Sequence, residues 1–122
     1  MPDIRVLLVD DEALVLSSLR RLLRRADFDV ATATSGPEAL DVLERAEFDV
    51  IVTDYKMPGM TGIEFLRAVA PRWPSVRRCM LTAQADKNLL EEAIEDGLLA
   101  RAWTKPWDNR ELVGELQTLM AQ

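Results

Sequence analysis

The chain has 122 residues, 48% hydrophobic and 30% charged, enough for one compact domain with a real core and too few for a second domain of ordinary size. Its net charge of −6 disfavours sequence-independent contact with nucleic acid, no apolar run approaches a membrane span, and Met1-Pro2-Asp3-Ile4-Arg5 lacks the basic region and cleavage site of a secretory signal, so a cytoplasmic domain over residues 1–122 is expected. Histidine is absent, which removes histidine-based triads, most zinc sites and phosphohistidine chemistry on this chain, and the lone Cys79 lies in the apolar run Cys79-Met80-Leu81, where a buried hydrophobe is expected.

Ile4 to Val9 is an almost unbroken apolar run of strand length, and Ala13, Leu16, Leu19, Leu22, Leu23 and Ala26 then recur at helical spacing. Asp29 to Thr34 reads as a short strand, and Ser35-Gly36-Pro37-Glu38 supplies a capping box for a helix carrying Ala39, Leu40, Leu43 and Ala46. Asp49 to Thr53 is a third strand. Thr61-Gly62-Ile63-Glu64 caps a helix with Phe65, Leu66 and Val69, which the stretch Pro71 to Pro74 ends before a strand at Val76 to Leu81. Asp86 to Asp96 is helical and stopped by Gly97, Leu98 to Thr104 is a fifth strand, and Asp108-Asn109-Arg110-Glu111 opens a last helix bearing Leu112, Leu116 and Leu119. Five such βα units predict an α/β fold with a parallel sheet, helices on both faces, and ligands beyond the carboxyl ends of the strands.

Asp10 and Asp11 close the first predicted strand, Asp54 the third, Thr82 the fourth and Lys105 the fifth, so these side chains converge on one edge of the sheet. Three adjacent carboxylates repel one another, and a hard divalent cation, Mg2+ above all, is the natural compensation for an all-oxygen set. Lys105 and Thr82 add a fixed positive charge and a hydroxyl donor suited to phosphoryl oxygens, which leaves a carboxylate free to act as nucleophile. Asp54 is the chosen nucleophile, because it directly follows the central strand and precedes the turn Met57-Pro58-Gly59.

The pair Asp10-Asp11, the stretch Asp54-Tyr55-Lys56-Met57-Pro58-Gly59-Met60-Thr61-Gly62, the pair Thr82-Ala83 and the pair Lys105-Pro106 resemble, in order and spacing, the response regulator receiver domains of two-component signalling. The resemblance covers essentially the whole chain. It implies a flavodoxin-like (βα)5 sheet of strand order 2-1-3-4-5, with Asp54 as phosphoacceptor. Mg2+ would be bound by Asp11, Asp54 and the backbone carbonyl of Lys56, with Asp10 supporting through water. Lys105 would contact the phosphoryl group. Thr82, helped by the backbone N–H of Ala83, would couple phosphorylation to the face of the fourth helix, fifth strand and fifth helix. The same resemblance implies a cis Lys105–Pro106 bond, a sensor histidine kinase or phosphotransfer protein as donor, a downstream effector domain or protein, and a lifetime of the phosphoryl group set by Lys56 and Gln84. It also admits a dimer formed on phosphorylation. The domain would catalyse its own phosphorylation and dephosphorylation without turning over an external substrate.

Three features depart from the family pattern or lie outside it. Ala102 stands where many receivers carry Tyr or Phe, and Trp103 should face the other side of its strand in a packing role, with a switch role as the alternative. Trp107 is expected to anchor the last helix. Arg20, Arg21, Arg24 and Arg25 form a basic face on the first helix, read as solvated surface, with kinase docking as the alternative that the resemblance supplies. The rival readings are a phosphorylation-independent interaction module on the same fold and an aspartyl-phosphate phosphohydrolase, whose nucleophile normally lies in an Asp-x-Asp motif where this chain has Asp10-Asp11-Glu12. A flavin or dinucleotide protein is disfavoured, since no glycine-rich loop follows the first strand.

Overall fold

In the computed structural model, which describes residues 3–83 and 87–122, strands and helices alternate strictly. The elements are β1 (Arg5–Val9), α1 (Ala13–Arg25), β2 (Asp29–Ala33), α2 (Gly36–Arg45), β3 (Val50–Thr53), α3 (Gly62–Arg72), β4 (Arg77–Thr82), α4 (Lys87–Glu95), β5 (Arg101–Thr104) and α5 (Asn109–Met120). All strand pairs are parallel and the sheet order is β2-β1-β3-β4-β5, as the resemblance implies. Among the described residues no helix is long and apolar enough to cross a membrane.

The apolar runs Val6-Leu7-Leu8-Val9 in β1, Val50-Ile51-Val52 in β3 and Cys79-Met80-Leu81 in β4 follow from burial on both sheet faces. Successive side chains point oppositely, so Leu7, Val9, Ile51 and Met80 join Ala39, Leu43, Phe65, Leu66 and Val69 in one core layer, under α2 to α4. Val6, Leu8, Val52, Cys79, Leu81 and Trp103 join Leu16, Leu19, Leu23, Leu112 and Leu116 in the other, under α1 and α5. Each fully buried Leu or Phe in these layers contributes about 1.5–3 kcal/mol by leaving water. Cys79 lies wholly inside, and burial pushes its thiol pKa up to about 12.

The local signals fare unevenly. At α3 the capping box is complete: Thr61 Oγ1 accepts from the Glu64 N–H at 3.1 Å, and Glu64 Oε1 accepts from the Thr61 N–H at 2.9 Å. At α2 only half forms. Ser35 Oγ accepts from the Glu38 N–H at 3.2 Å, but the Glu38 carboxylate turns to the Thr34 hydroxyl at 2.7 Å. Helix α3 ends inside the Pro71 to Pro74 stretch, with Pro71 in its last turn. The fifth strand is shorter than predicted. Leu98 and Leu99 are buried but spend their N–H groups closing the end of α4, on Asp96 Oδ1 and the Ala93 carbonyl, and so cannot join the ladder. Gly97, at φ +83°, makes that stop. The predicted start of the fourth helix at Asp86 lies outside the described residues.

Candidate functional site

The carboxyl ends of the three central strands and β5 deliver the predicted residues to one place. Asp10 continues β1 for one residue, its N–H donating to the Ala33 carbonyl at 3.1 Å, and Asp54 continues β3, its N–H donating to the Val9 carbonyl at 2.8 Å. Both side chains are buried, 3% and 7% exposed. From β5, Lys105 donates its N–H to the Thr82 carbonyl at 2.9 Å, and the Lys105–Pro106 bond is cis. Thr82 is buried at the end of β4. Asp11, Asp54, Lys56, Thr82, Ala83 and Lys105 all open on a cavity of about 530 Å3 beyond the strand ends. Glu12, Met57 and Pro58 complete its wall.

Within this cavity the charges are arranged asymmetrically. Lys105 Nζ lies 2.8 Å from Asp10 Oδ2 and 3.4 Å from Asp54 Oδ2. Asp10 Oδ1 accepts from the Glu12 N–H at 2.9 Å, so both of its oxygens are engaged. Asp54 Oδ1 accepts from the Tyr55 N–H at 2.8 Å, leaving Oδ2 toward the ammonium. Asp11 is exposed and makes no hydrogen bond or ion pair among the described residues. Burial, then the neighbouring Asp10 charge, holds the Asp54 pKa above the usual carboxylate value, although Lys105 and the Tyr55 N–H pull against them. Burial works to lower the Lys105 pKa, but the hydrogen bond and charge of Asp10, with Asp54 behind it, outweigh it and leave the ammonium more basic than usual. The lysine is therefore charged across the physiological range.

One oxygen from each of Asp10, Asp11 and Asp54 lies within 4.8 Å of the others. Such an all-oxygen, multiply anionic set fits a hard divalent cation such as Mg2+ and no soft metal. Sequence reasoning missed the main-chain N–H of Tyr55, which orients the Asp54 carboxylate, because a backbone donor leaves no mark in residue identity. The nearest partner of the Lys105 ammonium in this structure is Asp10. Gln84, paired with Lys56 in the expectation about phosphoryl lifetime, lies outside the described residues.

Outside the cavity, Trp103 packs into the α1/α5 layer as its position in β5 predicts, and its indole N–H donates to Glu115 Oε2 on α5. Arg101 reaches the same carboxylate at 3.1 Å. Ala102 faces the opposite core layer, half-buried. Trp107 packs against the α1/α5 layer and donates to Asn109 Oδ1 at 2.8 Å, tying the loop to the first turn of α5. Arg20, Arg21, Arg24 and Arg25 are exposed and form no ion pair among the described residues.

Comparison with known proteins agrees with this architecture. Residues 6–117 match the family model of the response regulator receiver domain. The chain is 39% identical over 97 residues to the chemotaxis protein CheY of Pseudomonas aeruginosa, covering 77% of this chain and 78% of CheY. It is 37% identical over 102 residues to the hydrogenase transcriptional regulatory protein HoxA of Cupriavidus necator, covering 84% of this chain but only 21% of HoxA. Among solved structures, the signal receiver domain of an HD domain-containing protein from Pseudomonas fluorescens Pf-5 is similar with a TM-score of 0.91 at 30% identity, over 99% of this chain and 89% of that one. The chain belongs to the response regulator receiver domains of two-component signalling.

Proposed function

We propose that residues 1–122 form one cytoplasmic receiver switch that takes a phosphoryl group from a histidine kinase or phosphotransfer protein onto Asp54, in a Mg2+-dependent reaction, and thereby changes the surface it offers an effector. Receiver domains are signalling domains and not turnover enzymes on external substrates, so the chemistry proposed is confined to this chain's own aspartate. The observation that carries the reading is a buried carboxylate at the end of the central strand, 3.4 Å from a part-buried ammonium, open to a cavity that Thr82 and Ala83 also line.

An Asp54 carboxylate oxygen attacks the phosphorus of the donor, the P–N bond of a phosphohistidine or the P–O bond of acetyl phosphate breaks with its electron pair leaving on the donor, and an acyl phosphate remains. The Tyr55 N–H keeps Asp54 Oδ1 in place during the attack, and Lys105 offsets the negative charge gathered around the incoming group. The Thr82 hydroxyl and the Ala83 N–H are the donors for phosphoryl oxygens, and their engagement would couple the site to α4, β5 and α5. Asp11, Asp54 and the Lys56 carbonyl would hold Mg2+, while Asp10, whose oxygens already accept from Glu12 and Lys105, suits an outer role through water. When bound, the cation supplies charge neutralisation at the phosphoryl oxygens. Lys56, exposed at the rim, would tune the lifetime of the product.

The test is intact mass after incubation with acetyl phosphate and Mg2+. A single phosphoryl adduct, labile to hydroxylamine and absent from Asp54→Ala and from a chelated control, is expected. A folded sample that gains no adduct would overturn the reading in favour of an interaction module that works unmodified.

A further inference from the structure

We infer that Thr53 is a positioning residue for the acceptor: its hydroxyl fixes the Asp54–Tyr55 peptide unit, and through it the orientation of the Asp54 carboxylate. The inference rests on Asp54 being the phosphoacceptor. Strand β3 is buried along its whole length, and its other members, Val50, Ile51 and Val52, are apolar. Thr53 is 0% exposed. A hydroxyl in such a place costs free energy unless it is hydrogen-bonded, and a valine would fill the same volume without that cost.

The partner explains the threonine. Thr53 Oγ1 donates to the main-chain carbonyl oxygen of Asp54 at 2.9 Å. That oxygen belongs to the same planar peptide unit as the Tyr55 N–H, which donates to Asp54 Oδ1 at 2.8 Å. The two ends of a rigid plane turn together, so holding the carbonyl holds the N–H, and the N–H selects one rotation of the carboxylate. The carbonyl is confined from the other side as well. A Cβ on Gly62 would lie 2.0 Å from the Asp54 carbonyl oxygen, so only a bare Cα lets α3 approach this closely, and the Gly62 N–H donates to the Tyr55 carbonyl at 2.7 Å. With Oδ1 committed to the main chain, Oδ2 is the oxygen left facing Lys105 at 3.4 Å. Without the hydroxyl, the peptide loses its restraint on the β3 side and is held by the α3 contacts alone, so the carboxylate it orients is less firmly placed. Small misplacements of a reacting group cost rate out of proportion to their size.

Two pairs of residues isolate the hydroxyl: threonine with Thr53→Val, and Thr53→Ser with Thr53→Ala, each pair alike in bulk and differing in the donor. Initial rates of adduct formation from acetyl phosphate and Mg2+ are measured by mass on samples whose folded fraction is fixed by circular dichroism. We expect the donor-less member of each pair to be slower by about tenfold, with serine retaining most of the wild-type rate. A packing role would give the opposite order, valine fast and serine slow. Valine within about twofold of wild type, or serine as slow as alanine, would overturn the inference. If valine does not fold, the serine and alanine pair decides alone. Absence of an adduct on the wild-type protein would instead fault the assignment of Asp54 as acceptor, so the two failures are distinct.

Discussion

Lys105 supplies the only cation that contacts the carboxylates of the site among the described residues, and Lys105→Met removes that charge while keeping most of the chain's bulk. At an effective dielectric near 20, its ammonium attracts Asp10 at 2.8 Å by about 6 kcal/mol and Asp54 at 3.4 Å by about 5 kcal/mol, while the two carboxylates, within 4.8 Å, repel by about 3.5 kcal/mol or more. Desolvation of two buried carboxylates and a part-buried ammonium offsets most of the gross attraction, yet deleting one partner of a buried pair typically costs about 3–5 kcal/mol because the remaining charge is left uncompensated. We expect a loss of about 3 kcal/mol, which is a large share of a domain's usual margin of about 5–15 kcal/mol. The assay is urea unfolding near neutral pH in low salt and chelator, followed by the fluorescence of Trp73, Trp103 and Trp107. With a urea slope of about 1.5–2 kcal/mol per molar, the midpoint should fall by roughly 1.5–2 M. Two conditions should restore it. Millimolar Mg2+ supplies another positive charge, and mild acid lets Asp54, already held above the usual carboxylate value and freed of the lysine that lowers it, take up a proton. A loss below about 1 kcal/mol in chelator, or one unchanged at about pH 4, would refute the claim that the ammonium offsets carboxylate repulsion.

The raised pKa of Asp54 gives its own pH dependence: a carboxyl that binds its proton more tightly when folded favours folding below its unfolded pKa, and that contribution is lost as pH rises through the folded value. Asp54→Asn should therefore raise the urea midpoint near neutrality in chelator and lose its advantage in acid; a variant less stable than wild type at neutrality would count against it. Gly62→Ala should cost about 1–3 kcal/mol, because its Cβ has to displace the Asp54 carbonyl, and it should slow phosphorylation as well. A thermal melt at wild-type temperature would show that α3 can retreat without consequence.

The order of elements was legible because two-sided burial writes itself as apolar runs in β1, β3 and β4, and one-sided burial as helical periodicity in α1, α2, α3 and α5. The site was legible because its side chains sit at the last positions of those runs, where the sheet must gather them whatever the connections do. The boundaries that misled are those where one residue type serves two purposes. Leu98 and Leu99 are as apolar as a strand requires, but their N–H groups close α4. Glu38 stands at the third position of a capping box, but the Thr34 hydroxyl competes for its carboxylate. The Tyr55 N–H and the confined Asp54 carbonyl were not legible at all, since what matters there is the direction of a peptide plane.

Ala102 and Trp103 show why chemistry and output have to be read separately in this chain. Every side chain that the proposed phosphoryl chemistry calls for is present, and each lies where β1, β3, β4 and β5 end. The ring that many receivers place on the α4 side of the fifth strand is replaced by a methyl group at Ala102, against a core layer that includes Leu89, Leu90 and Ala93. The aromatic bulk of β5 lies one residue on, under α5, where the indole of Trp103 and the guanidinium of Arg101 share the two oxygens of Glu115. That contact ties β5 to α5 by a charge-assisted hydrogen bond and an ion pair, and Lys105 follows Trp103 by two residues on the same segment. In this chain the segment that carries the lysine is thus fastened toward α5, while toward α4 it presents only the small side chain of Ala102. Phosphorylation, as proposed, would then find its easier adjustment on the α4 side, where the strand itself presents no more than the methyl group of Ala102.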